Sequence, residues 1–285
     1  MRPQPGDRAT RHLIRENCHV HREFLAFRHF FLGNGDDVFD SSLEPGWTNR
    51  SWVFGGNGDD SITAIALPPT IEGRLLASGD NGDDTIRLEA SNSVALGGRG
   101  NDVLTAIGGL GNYLDGGPGE DLLISFGGGS GMDPGNTLSG GFGTDAFRFT
   151  NAGNLVVTHD AGQDGRVSDG DVFLGPMDVI TDYRSGETIE LRSFEGPEEV
   201  PPYELVEEVA LITDPLSADR FRPVVGDGEF ALFRGHFSGG NTFIVAQHGR
   251  DLLVVYDAFN GQDDEIAQGS LVLRGFTDES GVMIA

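Results

Sequence analysis

One cysteine, no lysine and no long apolar run set the first limits on this 285-residue chain. A single thiol, Cys18, cannot form an intramolecular disulfide, so a secreted form would have to hold itself together by other means. All 19 basic residues are arginines and they face 45 acids, leaving a net charge of −26. A surface of that sign repels nucleic acid and anionic membranes, which excludes both as primary partners. No segment approaches the ~20 consecutive apolar residues of a transmembrane helix, so no membrane span is expected.

Catalytic signatures are also missing. The histidines are His12, His19, His21, His29, His159, His236 and His248, and no two of them form the HExxH pair that holds zinc one helical turn apart. There is no GxSxG nucleophile elbow, and glycine-rich stretches such as GGRGND from Gly97 are not followed by the GK[ST] of a phosphate loop. The chain is therefore expected not to be an enzyme. Hydrophobic content is 38%, low but sufficient for a core.

Glycine is what the chain has in excess, and it is concentrated. Residues 33 to 149 hold 26 of the 44 glycines, arranged in one recurring phrase, GGxGxDxUx, where U is a large apolar residue. The copies are LGNGDDVFD from Leu32, GGNGDDSIT from Gly55, GDNGDDTIR from Gly79, GGRGNDVLT from Gly97, GGPGEDLLI from Gly116 and GGFGTDAFR from Gly140. Two worn copies, GGLGNYLD from Gly108 and GGSGMDPG from Gly128, lack the sixth-place Asp and the eighth-place apolar residue respectively. Such short-period self-similarity dictates architecture. A flexible glycine-rich linker would not keep the Asp and apolar places in order.

Each place in the phrase has a physical reading. Glycines at the second and fourth places take positive φ and let the backbone curl with its carbonyls turned inward. The sixth residue adds a carboxylate. Carbonyls and carboxylates together make an all-oxygen shell suited to a hard cation with six to eight ligands at about 2.3 to 2.6 Å, which points to calcium. The last three residues alternate polar, apolar, polar, as in a short strand with one side chain inward. Asp84 to Asp102 is 18 residues and Asp102 to Asp121 is 19, so two units make one coil and like places stack. Intervals of 23 and 24 residues from Asp37 to Asp60 to Asp84 leave room for excursions around Trp47 and Pro68-Pro69, and Asp121, Asp133 and Asp145 lie 12 apart.

These units resemble the nonapeptide repeats of the RTX (repeats-in-toxin) family. The resemblance implies an all-β fold: a right-handed parallel β-roll over residues 33–149, with calcium between the turns of neighbouring coils, followed by an antiparallel β-rich region over 150–285. DVITDYRSGETIEL from Asp178 and NTFIVAQHGRDLLVVYDAFNGQDDEIAQGSLVLRGF from Asn241 resemble the region that follows the repeats in serralysin-type secreted metalloproteases, without their catalytic domain. There the first of these leads out of the roll into antiparallel strands. The implied ligands are Asp37, Asp60, Asp84, Asp102, Asp121, Asp133 and Asp145, with the carbonyls of Gly33, Gly35, Gly56, Gly58, Gly82, Gly98, Gly100, Gly117, Gly119, Gly141 and Gly143 beside them. The implied function is a secreted, extracellular calcium-binding protein that passes unfolded through a type I secretion apparatus and folds on meeting calcium outside. Without cations the acidic repeats are expected to be disordered. The alternatives are a secreted adhesion or carbohydrate-binding module built on Trp47 and Trp52, or a fragment of an RTX metalloprotease or other hydrolase.

Residues 1–32 stand apart, with six arginines against three acids. The segment reads as an amphipathic helix capping the roll or as residues ahead of the true start, and Cys18, His19, His21 and His29 fit no closed zinc spacing. Asp160 to Asp171 carries acids at places 1, 5 and 12 of an EF-hand-like loop but no ligand at place 3, and reads as an acidic surface loop. Asp257, Asp263 and Asp264 read as a solvated turn, and Glu195 to Glu208 as an exposed loop. The ending FTDESGVMIA resembles a type I export signal or is a plain terminal strand.

Overall fold

The computed structural model describes residues 10–13, 19–20, 28–41, 51–65, 74–108, 111–126, 134–150, 155–191, 203–214, 217, 220–226, 228–239, 241–257 and 269–285. Among them there is no α-helix. The one helical turn is a 3-10 turn at Glu279–Gly281.

Through the repeats the chain alternates between two parallel sheets. The first sheet takes Arg28–Asn34, Trp52–Asn57, Leu76–Asn81, Val94–Arg99, Tyr113–Pro118 and Thr137–Phe142. The second takes Val38–Asp40, Ser61–Ile65, Thr85–Glu89, Val103–Ile107, Leu122–Phe126, Ala146–Phe149 and Thr188–Leu191. Every neighbouring pair within these two series is parallel and in register, so Leu76 sits beside Val94 and Val94 beside Tyr113. One coil is therefore two strands and 18 or 19 residues, as the spacing predicts. Longer intervals, as between Trp52 and Leu76, keep the same register and put the extra residues into the connections.

The eighth place of each phrase is the core. Phe39, Ile62, Ile86, Leu104, Leu123 and Phe147 are all buried from the second sheet, and Phe30, Leu32, Val53, Ala77, Ala95, Leu114 and Leu138 meet them from the first. Small residues in the middle of the first sheet, Ala77 and Ala95, bring the sheets close together. Phe30 and Phe39 pack against each other across the two sheets, ring centroids 4.9 Å apart.

The stack starts before residue 33. Thr10–Leu13 pairs in parallel with Arg28–Phe31, and His19–Val20 with Val38–Phe39, so strands stand where a capping helix is one sequence expectation. It also runs past 149. Asp178–Ile180 pairs in parallel with Thr137 and Leu138, and Thr188–Leu191 with Ala146–Phe149. The segment from Asp178 to Leu191 is thus one more coil, where the family resemblance implies the way out of the roll.

The antiparallel strands enter on either side of that coil. Val156–His159 and Val172–Leu174 form a hairpin ahead of it. Glu229–Gly239, Thr242–Val245, Asp251–Tyr256 and Gly269–Leu273 follow, and the last of these lies parallel to Asp178–Ile180. Asp251–Tyr256 and Gly269–Leu273 are buried on both faces. Leu252, Val254 and Leu271 face the core of the coils, whereas Leu253, Val255 and Val272 face a second core with Phe173 and Phe243. This two-sided burial explains why DLLVVY is a continuous apolar run without strand alternation.

Candidate cation-binding column

The sixth-place aspartates form a buried column. The backbone N–H of Asp37 donates to Asp60 Oδ1 at 2.8 Å, Asp60 N–H to Asp84 Oδ1 at 2.7 Å, Asp84 N–H to Asp102 Oδ1 at 2.8 Å, Asp102 N–H to Asp121 Oδ1 at 2.8 Å and Asp121 N–H to Asp145 Oδ1 at 2.9 Å. Each carboxylate thus ties its coil to the one before. All six residues are buried.

The local sequence explains why the side chains fit. At Gly97 an added Cβ would sit 2.3 Å from Asp102 Oδ2, and at Gly79 2.0 Å from Asp84 Oδ2. First-place glycine is therefore the space into which the sixth-place carboxylate folds, a role the glycine pattern alone does not reveal. The second and fourth places serve the turn itself. Gly98 and Gly100 adopt φ of +115° and +126°, and a Cβ there would lie 2.2 Å and 2.0 Å from the carbonyl oxygens of Asp80 and Gly82 in the preceding coil. Gly33, Gly35, Gly56, Gly58, Gly82, Gly117, Gly119, Gly141 and Gly143 occupy the same two places in the other coils, with turn backbone stacked on turn backbone.

The second carboxylate oxygen is the unusual feature. Oδ2 of Asp60, Asp84, Asp102, Asp121 and Asp145 is buried and has no hydrogen-bond partner among the described residues. Around Gly55, Asp60 Oδ2 and the Gly79 carbonyl oxygen both lie within 2.7 Å of the point a Cβ would take, and around Gly97 the same holds for Asp102 Oδ2 and the Gly116 carbonyl oxygen. A first-place glycine carbonyl of the next coil therefore lies close to the free oxygen, a donor that the sequence reading does not single out.

Burial and the neighbouring acids hold these carboxyls well above the usual range. Loss of solvent, then Asp102, Asp59 and Asp80, push Asp84 up to about 7, and loss of solvent with Asp84, Asp37 and Asp36 does the same to Asp60. Asp102 and Asp121 rise to about 6, mainly by burial and then by the next acid in the column. Asp145 is raised by burial first and by Asp182. Coils are ~4.8 Å apart, and adjacent unit charges at that spacing repel by roughly 3 kcal/mol at an effective dielectric of 20. Unneutralised, the column opposes the stack it also ties together.

An exposed column runs beside it from the fifth place. Asp59 N–H donates to Asp36 Oδ1 at 3.0 Å, Asp83 N–H to Asp59 Oδ1 at 2.8 Å, Asn101 N–H to Asp83 Oδ1 at 2.7 Å and Glu120 N–H to Asn101 Oδ1 at 2.8 Å. These bonds run in the opposite sense along the stack, so each turn is gripped from both sides.

The opposite edge of the coils has its own rungs, which motif reading misses. Leu75 N–H donates to Ser93 Oγ at 3.0 Å, Ser93 N–H to Asn112 Oδ1 at 2.9 Å, Asn112 N–H to Asn136 Oδ1 at 3.0 Å and Asn136 N–H to Asp178 Oδ1 at 2.6 Å. Asn112 is the fifth place of the worn copy from Gly108, next to Tyr113, which stands at the sixth place instead of Asp. In the other worn copy the rung is Asn136, three residues beyond Asp133, which itself lies outside the described residues. A neutral amide satisfies both neighbours here, and the Asn136 amide also donates to Ser125 Oγ at 2.9 Å. Six good phrases on one edge, against rungs on the other that are uncharged except for Asp178, concentrate the acids on one edge. Glu187 ends that edge: it is buried, accepts from Arg184 N–H at 2.8 Å, and is raised to about 7 by burial first and by Asp145.

Other sequence candidates settle elsewhere. Asp171 is buried and accepts from Ala161 N–H at 2.6 Å and Ser168 N–H at 2.7 Å, so it closes its own loop. Asp160 accepts from Gln163 N–H at 2.8 Å in the same way. Asp257 is buried, which corrects the solvated-turn expectation, and Asp263 and Asp264 lie outside the described residues. Tyr203 is buried and Glu204–Leu205 pairs with Glu229 and Phe230, so that part of the expected loop is strand. Trp52 stacks on His29 at 4.4 Å and Phe54 on Phe31 at 5.0 Å, which ties the first coils together. Trp47, Cys18 and His21 lie outside the described residues.

The chain matches no protein-family model and no curated sequence at a significant level, so its function has to be read from its own residues. Among the described residues no three His, Cys, Asp or Glu side chains converge to hold a metal. The donor set fits a hard, oxygen-seeking cation: a buried carboxyl oxygen without a partner among the described residues in each of five coils, with a first-place glycine carbonyl close by at Asp60 and Asp102.

Proposed function

We propose that this chain is a calcium-binding protein of the RTX type, its two parallel sheets forming a right-handed β-roll that calcium completes. The observation that carries the reading is the column of five buried aspartates, each with one oxygen committed to the neighbouring coil and the other without a partner among the described residues. Oδ2 of Asp60, Asp84, Asp102, Asp121 and Asp145 would hold the ions, helped by carbonyls of the first-, second- and fourth-place glycines, and Asp37 closes the first end of the column. Bound calcium neutralises the carboxylates and removes the mutual repulsion that otherwise works against stacking. Binding free energy is then folding free energy, and because each coil rests on the next, ion binding and folding proceed together along the stack.

The same chemistry supports export in an unfolded state. In a compartment poor in calcium the repeats stay open enough to pass through a type I secretion apparatus, and outside they meet calcium at the 10⁻⁴ to 10⁻³ M range typical of extracellular modules. Calorimetric titration of calcium into metal-stripped chain, with magnesium as control, tests the reading. It expects several calcium ions bound per chain and little heat from magnesium. Equal, weak heats from both ions would sink it.

A further inference from the structure

The turn edge carries a row of side chains that the aspartate columns leave unused. Third-place residues Asn57, Asn81, Arg99, Pro118 and Phe142 stand one per coil, with Asn57 in register with Asn81, Asn81 with Arg99 and Pro118 with Phe142. Between them opens a shallow cleft of about 580 Å³, bounded by Asn57, Asn81, Arg99 and Pro118 together with Ser78, Asp80 and Leu96.

Three features mark this groove as a place for a ligand. Asp80 fills the second place, where the other five good copies have glycine, and it does so at φ +77°. A non-glycine residue held there is strained, and Ser78 Oγ donates to Asp80 Oδ1 at 2.6 Å, which fixes its carboxylate at the cleft. Arg99 makes no ion pair among the described residues, so a guanidinium and a carboxylate share the cleft without neutralising each other directly. Phe142, one coil past Pro118 at the end of the row and beyond the cleft itself, is 78% exposed and stacks on no ring among the described residues. Four other aromatics of this sheet pair with each other: His29 with Trp52 and Phe31 with Phe54.

We infer that this groove binds a neutral saccharide chain, with Phe142 stacked on the apolar face of a sugar ring and Asp80, Asn81 and Arg99 bonded to its hydroxyls. A carboxylate, an amide and a guanidinium side by side offer the paired donors and acceptors that vicinal hydroxyls need. A lone exposed ring offers apolar area that ordinary surfaces avoid. The flanking Asp59, Asp83 and Glu120 repel polyanions. A peptide would call for an open strand edge or deep pockets, and the groove has neither. The row is built by the stacking of the coils, so this inference does not depend on which cation holds them.

Native electrophoresis in calcium buffer through gels containing galactomannan, hydroxyethylcellulose or dextran, with alginate as the anionic control, tests it. The chain should be retarded by at least one neutral polymer and not by alginate. Phe142→Ala should weaken retardation about tenfold or more. Asp80→Gly should do the same, although it restores the repeat's own glycine and relieves the backbone, which separates binding from folding. Trp52→Ala should leave retardation unchanged. A chain that shows folded circular dichroism yet runs freely in every gel overturns the inference, as does retardation that survives Phe142→Ala.

Discussion

The backbone N–H of Asp84 donates to Oδ1 of Asp102 at 2.8 Å, while Oδ2 of the same Asp102 is buried against Gly97 without a partner. One side chain thus supports the coil stack through one oxygen and strains it through the other. Most of the expected behaviour follows from that division.

Replacing Asp102 by Asn separates the two effects. The amide oxygen still accepts from Asp84, as Asn112 and Asn136 accept on the opposite edge, but the charge is gone. In metal-stripped buffer Asp102→Asn should raise stability by about 1 to 2 kcal/mol, allowing for screening at the turn. In saturating calcium that gain should vanish with the lost ligand. Asp102→Ala should lose about 1 to 3 kcal/mol in both buffers, because Asp84 N–H is then unpaired. Urea midpoints in calcium, and in metal-stripped buffer the trimethylamine N-oxide concentration needed to restore β structure, check all four cases.

Acid should substitute for the cation. Asp60 and Asp84 are held at about 7 and Asp102 and Asp121 at about 6 in the folded chain, against 3.8 when unfolded. The folded state therefore binds more protons in this window. The stabilisation is fully present below about pH 4 and is lost as pH rises through 6 and 7. Far-UV circular dichroism of metal-stripped chain should show more β structure at pH 5 than at pH 7.5, and calcium should flatten the difference. β structure that grows as pH rises in metal-stripped buffer would refute this account of the column.

Much of this was legible in the sequence, and the boundary is instructive. The 18- and 19-residue intervals between Asp84, Asp102 and Asp121 gave the coil, and the eighth-place residues from Phe39 to Phe147 are the core because an inward side chain on a two-residue alternation has nowhere else to go. The inward aim of the aspartates was not legible, since it depends on first-place glycines such as Gly97 lying opposite them across the turn. The rungs Ser93, Asn112 and Asn136 escaped because any small side chain with an acceptor suits an uncharged rung, so no fixed letter marks it. Strands at Thr10–Leu13 and His19–Val20 were hidden by an arginine- and histidine-bearing composition that lacks the repeat.

First-place glycine should prove less replaceable than some glycines at positive φ. Gly97→Ala places a Cβ 2.3 Å from Asp102 Oδ2 and 2.6 Å from the Gly116 carbonyl oxygen, an overpacking expected to cost about 2 to 3 kcal/mol. Gly186→Ala, at φ +103° but with nothing within 4 Å, should cost about 1 kcal/mol. Thermal midpoints in calcium rank the two.

The chain terminus should loosen when Tyr183 loses its hydroxyl. Tyr183 Oη accepts from Met283 N–H at 3.0 Å and donates to the Glu187 carbonyl oxygen at 2.8 Å, and Ile284 bridges to Ile189 at the edge of the last coil. Tyr183→Phe should cost about 1 to 2 kcal/mol and speed proteolytic trimming of the last residues, with the rest of the chain intact. Mass spectrometry of a timed digest follows it.

The central claim, that cations complete the stack by neutralising the aspartate column, is met most directly by far-UV circular dichroism of metal-stripped chain at pH 7.5 during calcium titration, with magnesium in parallel. The account predicts a disordered spectrum that converts cooperatively to β structure at sub-millimolar to millimolar calcium and stays unchanged in magnesium. A chain already fully β in chelator and indifferent to calcium would contradict it.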